Sequence, residues 1–212
     1  TGSYALVLGV DGGILDDVIL YRKPGGNFLL VVNASNREKI SNWILHFGGG
    51  FSDLTDGTAM LAVQGPKAAE ILWGEVGRPL RDMPYFSGSE MEWKGIGEIW
   101  ICRTGYTGED GYEIISPAGV SEKIWKWLME TGNVVPCGLG ARDVLRIEAG
   151  YSLYGSDMDE TASPYECGLG FAVAAGMPFV GAAALKNRPI RRRLVGLDAG
   201  DDFSNHVGVF SQ

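Results

Sequence analysis

Residues 103–113 read R-T-G-Y-T-G-E-D-G-Y-E, and they follow directly on the apolar stretch Ile99 to Cys102. Glycine reaches positive φ without steric penalty, so Gly105, Gly108 and Gly111 predict a tight turn between two strands, with Asp110-Gly111 as its strongest hairpin signal. Tyr112 and Glu113 then open the returning strand, and the Glu113 carboxylate falls on one face ahead of Ile114 and Ile115. A polar, glycine-rich turn is commonly no more than a solvated loop. The neighbouring segments suggest more for this one.

Upstream, Tyr4 to Leu8, Ile14 to Tyr21 and Phe28 to Asn33 read as a three-stranded meander. They are joined by the turns Asp11-Gly12-Gly13 and Pro24-Gly25-Gly26-Asn27. Ser35 with Glu38 predicts a capping box for a helix that carries Ile40, Trp43, Ile44 and Phe47 and ends at Gly48-Gly49-Gly50. Thr58 to Gln64 reads as a strand, and Pro66 suits the first position of a helix running to Trp73. A linker-like stretch from Pro79 to Pro84 precedes the aromatic pair Tyr85-Phe86, and Glu90 to Trp93 and Glu98 to Cys102 are further strands. Downstream of the hairpin come Ile114 to Ser116, a helix from about Val120 to Glu130, and another from Leu139 through Ala149 with Val144, Leu145, Ile147 and Glu148 tightly packed. Strands at Arg193 to Leu197 and Val207 to Phe210 close the chain. Strands and helices mix without regular βαβ alternation, which predicts an α+β fold of antiparallel sheets with helices on one face.

The chain has 212 residues, 45% hydrophobic and 21% charged, enough for one large or two ordinary domains with a buried core. A formal charge of −8 argues against a nucleic-acid partner, which needs a concentrated positive face. The one basic cluster, Arg188 with Arg191, Arg192 and Arg193, reads as a solvated strand entry. Cys102, Cys137 and Cys167 are odd in number and widely spaced, so neither a disulfide framework nor a zinc knuckle is expected, and a reducing compartment fits. Gly168 to Leu185 holds no charge over eighteen positions, but its glycines and Pro178 favour a strand at Phe171 to Ala174, a turn and a short helix over a membrane span. The chain opens on Thr1 and enters a strand almost at once, as though N-terminal residues were missing.

Chemistry is most legible on the second strand. Period-two geometry puts Leu15, Asp17, Ile19 and Tyr21 on one face and Asp16, Val18 and Leu20 on the other. Strands normally exclude aspartate, and a half-buried carboxylate is costly unless paired, so one of these acids is either an edge-strand device or a group that orients or deprotonates an amine. Cys137 to Asp143, C-G-L-G-A-R-D, lacks the third glycine and the preceding strand of a dinucleotide loop, and Arg142 is instead a possible fork for a carboxylate. Asp157, Asp159 and Glu166 lack the glycine and spacing of a calcium loop, and no metal site is expected. His46 and His206 lie far from every motif.

Taken together, G-G-I-L-D-D-V-I-L-Y, L-V-V-N-A-S-N-R-E-K, L-A-V-Q-G-P-K-A, the hairpin stretch, P-C-G-L-G-A-R-D-V-L-R-I-E-A-G and L-Y-G-S-D-M-D-E resemble, in order and spacing, the aminomethyltransferase (T-protein) family of the glycine cleavage system, from about Tyr4 to Leu197. The resemblance implies a T-protein-like folate-binding fold. Residues 1–56 with 163–188 would form the folate-binding α+β domain and 57–162 a second α+β domain contributing to the same central pocket. Residues 189–212 would begin an incomplete C-terminal β-barrel.

The resemblance further implies that Asp17 matches the essential aspartate beside the folate N5/N10 region. Tyr4, Tyr21, Val31 and Asn33 match pocket-lining positions. Tyr85, Phe86, Tyr106 and Tyr151 look like aromatic walls, Arg142 is similar to the pocket arginine, and Glu113 is similar to the residue that grips the pterin. One ionised carboxylate can accept two adjacent pterin N–H groups, and aromatic rings stack on the flat ring system. The implied reaction moves a one-carbon unit from the aminomethylated lipoyl arm of H-protein to tetrahydrofolate with release of ammonia, in the cytoplasm or the mitochondrial matrix of a eukaryote, with no nucleic-acid or membrane partner. Rival readings are another tetrahydrofolate-dependent one-carbon transferase or demethylase of the superfamily, and a non-catalytic folate-binding protein. The chain departs from the family at Val10-Asp11, where Asn-Glu is usual, in a short region between Leu197 and His206, and in lacking most of a third domain.

Overall fold

In the computed structural model the described residues are 1–77, 80–130, 134–174 and 176–196, with the backbone of 209–211. Pro79, Leu197, His206 and Val207, named above, lie outside them. The chain divides into two compact units, one of Thr1–Gly2, Tyr21–Asn27 and Phe51–Ala149, the other of Ser3–Leu20, Phe28–Gly50 and Gly150–Gln212.

The first unit is built on a four-stranded antiparallel sheet in the order β4-β7-β6-β5, formed by β4 (Thr58–Gln64), β5 (Ser87–Trp93), β6 (Gly97–Arg103) and β7 (Gly111–Pro117). β4 and β7 are in register from Thr58 opposite Pro117 to Gln64 opposite Gly111, and β6 meets β7 with Cys102 opposite Glu113. Alternation along β7 buries Tyr112, Ile114 and Ser116 and turns Glu113 and Ile115 to the other face. The buried face packs with Leu72 and Val76 of helix α2 (Ala68–Val76) and Ile124 and Leu128 of α3 (Ala118–Glu130), and Val63, Ile99, Ile101 and Trp93 complete this core. Helix α2 starts two residues later than its proline suggests, with Lys67 at the cap, and stops at Gly77 with φ 61°. Helix α4 (Leu139–Glu148) corrects an expectation: Val144 is exposed rather than tightly packed, and the buried member of its last turn is Arg146, whose Nε donates to Asp143 at 2.8 Å.

The other sheet runs β1-β2-β3, from β1 (Gly2–Leu8), β2 (Ile14–Arg22) and β3 (Phe28–Val31). In the second unit Leu8 and Ile14 bury against Met158, Ala162, Cys167, Leu169 and Leu185. Helix α1 (Arg37–His46) follows a single 3-10 turn at Ala34–Asn36. No side chain caps it, so the expected Ser35/Glu38 box is absent; Asn36 holds the cap position, and its amide is engaged elsewhere. The uncharged stretch contains a 3-10 turn, Gly170–Ala172, and the helix α5 (Ala182–Asn187), not the expected strand at 171–174. Strand β8 (Arg193–Val195) pairs antiparallel with β9 (Val209–Ser211), Leu194 opposite Phe210. Among the described residues no helix is long and apolar enough to cross a membrane.

Candidate functional site

Two polar clusters carry the acids, one in each unit. The first unit's is built on the glycine hairpin and the sheet face away from α2 and α3. The loop runs from Thr104 to Asp110, longer than a two-residue turn, and its base is closed by Arg103. The Arg103 Nε and Nη2 donate to the two carboxylate oxygens of Asp110 at 2.9 and 3.0 Å, and its Nη1 donates to the carbonyls of Arg81 and Met83. That fork holds the Asp110 carboxyl below the usual aspartate range.

The three glycines have different reasons. Gly108 takes φ 77°, as a turn glycine should. Gly105 and Gly111 keep ordinary backbone angles and are small because the Gln64 amide lies across them. A Cβ at either position would overlap Gln64 Oε1, and would stand from Gln64 Cδ only 2.6 Å at 105 and 2.5 Å at 111. Gln64 Nε2 donates to the carbonyls of Thr104 and Tyr112, both at 3.2 Å, tying the two ends of the loop to β4.

On the face away from α2 and α3, Trp100, Cys102 and Glu113 line up by register, with Trp100 and Cys102 buried, and the Tyr21 ring meets the Trp100 ring edge-on at 6.4 Å. Tyr21 is 1% exposed. Its hydroxyl lies 3.0 Å from Thr104 Oγ1, and Thr104 in turn donates to Glu113 Oε2 at 2.5 Å. Burial raises the Tyr21 hydroxyl well above the ordinary tyrosine value and pushes the neighbouring Cys102 thiol up to about 12. Tyr85 is exposed, with its ring edge-to-face against Phe86 at 5.1 Å. Among the described residues Phe86 is the non-glycine with positive φ, 55°, a strained state its own backbone bonds to Gly2 and Arg103 enforce. The Arg142 guanidinium sits 4.7 Å over the Tyr106 ring.

The second unit's cluster gathers on β2. Asp16, on the face with Ile14 and Val18, is fully buried, whereas Asp17 is half-buried on the other face. Asn33, two residues past β3, reaches both: its Nδ2 lies 2.8 Å from Asp16 Oδ1 and 2.7 Å from Asp17 Oδ1, and its backbone N–H donates to Asp16 Oδ2 at 3.2 Å. Asn36 Nδ2 donates to Asp16 Oδ1 at 2.6 Å. Tyr4 donates its hydroxyl to Asp17 Oδ2 at 3.2 Å, and its ring stacks on Phe171. Burial moves the Asp17 carboxyl above the ordinary aspartate value; the Asn33 amide opposes that rise, and the Asp16 charge adds to it. An acid so held can orient an amine or exchange a proton with it. Val31, at the end of β3, and Tyr151 are half-buried members of the same unit.

Of the residues the sequence points to, the structure brings Tyr4, Asp17 and Asn33 into one network, and Tyr21 and Glu113 into another. Asp16, Asn36 and Thr104 complete those networks without having been expected there. Thr104 lies inside the hairpin stretch, between an arginine and a glycine whose signals are stronger. Asn36 lies in the segment that reads as a helix cap. The acids doubtful as a calcium loop serve the backbone instead: Asp157 accepts from Leu153, Asp159 from Thr161, and Glu166 from Ser163 and Arg191.

Comparison with known proteins agrees with this architecture. Residues 1–177 match the GCVT N-terminal domain. The aminomethyltransferase of Thermotoga sp. (strain RQ2) is 42% identical over 204 residues, covering 92% of this chain and 56% of that protein. The aminomethyltransferase of Flavobacterium psychrophilum is 39% identical over 205 residues, covering 92% and 57%. The crystal structure of glycine cleavage system aminomethyltransferase T from Bartonella henselae superposes with a TM-score of 0.81 at 33% identity, over 92% of this chain and 55% of that one. The chain therefore spans little more than half the length of these relatives. With that domain matched over most of its residues, the chain belongs to the aminomethyltransferase (T-protein) family of the glycine cleavage system.

Proposed function

We propose that this chain provides the folate-dependent part of an aminomethyltransferase: a one-carbon unit passes from the S-aminomethyl lipoyl arm of H-protein to tetrahydrofolate, with release of ammonia. Folate N5 attacks the methylene carbon, and closure onto N10 completes the bridge. Two C–N bonds form while the C–S bond and the original C–N bond break. The two protons lost from the folate nitrogens leave with the thiol and the ammonia, so no oxidant or reductant is needed. Asp17 positions the attacking nitrogen and carries a proton, a role of orientation and acid–base chemistry rather than covalent catalysis. Glu113 accepts adjacent pterin N–H groups. Tyr4, Tyr21, Val31 and Asn33 line the folate site, Tyr85, Phe86, Tyr106 and Tyr151 supply aromatic surface, and Arg142 takes a ligand carboxylate. The same reading assigns 1–56 with 163–188 to the folate-binding domain, 57–162 to the second domain and 189–212 to the start of a β-barrel.

The observation that carries the reading is the environment of Asp17, in a chain of this family: a half-buried acid on a strand, braced by a phenol and an amide, with its proton affinity raised. The test is to supply aminomethylated, lipoylated H-protein with tetrahydrofolate and follow ammonia. Release that requires both supports the proposal, and none above background with both present overturns it. Asp17→Asn should leave folate affinity within a few fold and slow transfer by about tenfold or more, as loss of one acid–base group does.

A further inference from the structure

Thr104 has one hydroxyl hydrogen, and its 2.5 Å contact with the Glu113 carboxylate uses it. The 3.0 Å contact between Thr104 Oγ1 and Tyr21 Oη must then run the other way, with the phenol donating. The result is a directed relay, Tyr21 to Thr104 to Glu113, whose first two members are both 1% exposed. Its origin is fixed by the packing of Tyr21 against Trp100 and Cys102, and its middle by the loop base that Gln64 ties down. Its end is the half-buried carboxylate of Glu113, on the same sheet face as Cys102, its register partner. Among the described residues Glu113 Oε1 has no hydrogen-bond partner in its unit, and the Thr104 bond takes one lone pair of Oε2, so the relay leaves Oε1 and the second lone pair of Oε2 for the adjacent N–H groups of a ligand.

We propose that Thr104 and Tyr21 are positioning residues for Glu113: the relay locks the carboxylate in one rotamer so that its free oxygen is already aimed at a planar N–H-bearing ligand before that ligand arrives. This rests on the reading of Glu113 as the pterin clamp. Without the relay a half-buried glutamate with no bond to its carboxylate samples several rotamers, and binding must then order it. Serine keeps the donor and acceptor of the relay; valine keeps only its shape.

The experiment measures tetrahydrofolate affinity calorimetrically for the parent chain and for Thr104→Val, Thr104→Ser, Tyr21→Phe, Glu113→Gln and the Thr104→Val/Glu113→Gln pair, with a thermal melt of each. Thr104→Val should weaken binding about fivefold to tenfold, the loss that accompanies one hydrogen bond and its ordering. Thr104→Ser should restore affinity to within about twofold, because it restores the bond. In the Glu113→Gln background Thr104→Val should cost nothing further, since the residue acts only through that carboxylate. A merely structural threonine would lower the melting temperature and affect binding alike in both backgrounds. If Thr104→Val does not fold, Tyr21→Phe alone and with Glu113→Gln decides: affinity unchanged from the parent, or the same loss in both backgrounds, overturns the relay. Glu113→Gln binding as tightly as the parent removes the clamp reading and the relay with it. Glu113→Gln weakened while Thr104→Val and Tyr21→Phe bind normally removes the relay alone.

Discussion

Replacing Gly111 by alanine should destabilise the first unit sharply, although its backbone angles suit any residue. The added Cβ would overlap Gln64 Oε1 and lie 2.5 Å from the Gln64 Cδ and 2.9 Å from its Cα, across the register pair that closes β4 on β7. Swinging the amide away relieves the two side-chain clashes but releases its bonds to the carbonyls of Thr104 and Tyr112, at about 1 kcal/mol each. The clash with the Gln64 backbone remains, and easing it means parting two paired strands, an overpacking cost of about 1–3 kcal/mol. The total is about 3–5 kcal/mol, or roughly a 6–20 °C fall in melting temperature for a chain of this size. Circular dichroism melts of Gly111→Ala, Gln64→Ala and the double variant test the reasoning. Because Gln64→Ala removes the clashing side-chain atoms, the double variant should be more stable than the sum of the singles by about 1–2 kcal/mol. Gly140→Ala is the control: it lies in α4 with nothing within 4 Å of the added carbon, and should gain about 0.5–1 kcal/mol. A Gly111→Ala melt within a degree of the parent, or strict additivity with Gln64→Ala, would refute the packing argument.

Asp17 has a folded-state proton affinity above its unfolded value, so the native chain holds the extra proton and its stability falls as pH rises from the ordinary aspartate value of 3.8 through the raised one. Asp17→Asn should accordingly melt higher than the parent at pH 7, an advantage that shrinks as pH falls from the raised value toward 3.8 and no longer changes below it; melts at several pH values measure it, and a constant difference across that window would count against it. The thiols should also separate kinetically. Burial pushes Cys102 up to about 12 and Cys167 up to about 11, while Cys137 is exposed, so an aromatic disulfide reagent should label Cys137 rapidly and the other two only on unfolding. Rapid labelling of two or three thiols in the native chain would contradict the burial of the sheet face that carries Cys102.

Much of the fold is legible in the sequence because hydrophobic alternation and turn residues act locally. The strands at 58–64 and 97–103, the helix at 118–130 and the hairpin between β6 and β7 follow from patterns within a dozen residues of each other. What misleads is tertiary. Ser35 and Glu38 have the spacing of a capping box, but the Asn36 amide bonds to buried Asp16 twenty residues away, and the chain enters α1 through a 3-10 turn instead. Phe171 to Ala174 is apolar enough for a strand but has no partner strand among the described residues. Gly105 and Gly111 matter, but not for turn geometry, since the need for a small residue there comes from Gln64, some forty positions upstream. Of the two polar clusters, the second unit's announces itself through Asp17, because an acid is unusual in a strand, whereas Thr104 in the first unit does not stand out, because a hydroxyl residue in a loop is ordinary and only the neighbouring Tyr21 and Glu113 give it a role.

The most direct test of the central proposal, that Glu113 binds reduced folate while Asp17 serves the transfer step, is a calorimetric titration of tetrahydrofolate into the parent, Asp17→Asn and Glu113→Ala. The account predicts one binding event in the parent, affinity within a few fold for Asp17→Asn, and about tenfold or greater weakening for Glu113→Ala, the cost of losing a charge-assisted pair of hydrogen bonds. No heat of binding in the folded parent, or equal affinity in Glu113→Ala, would contradict it.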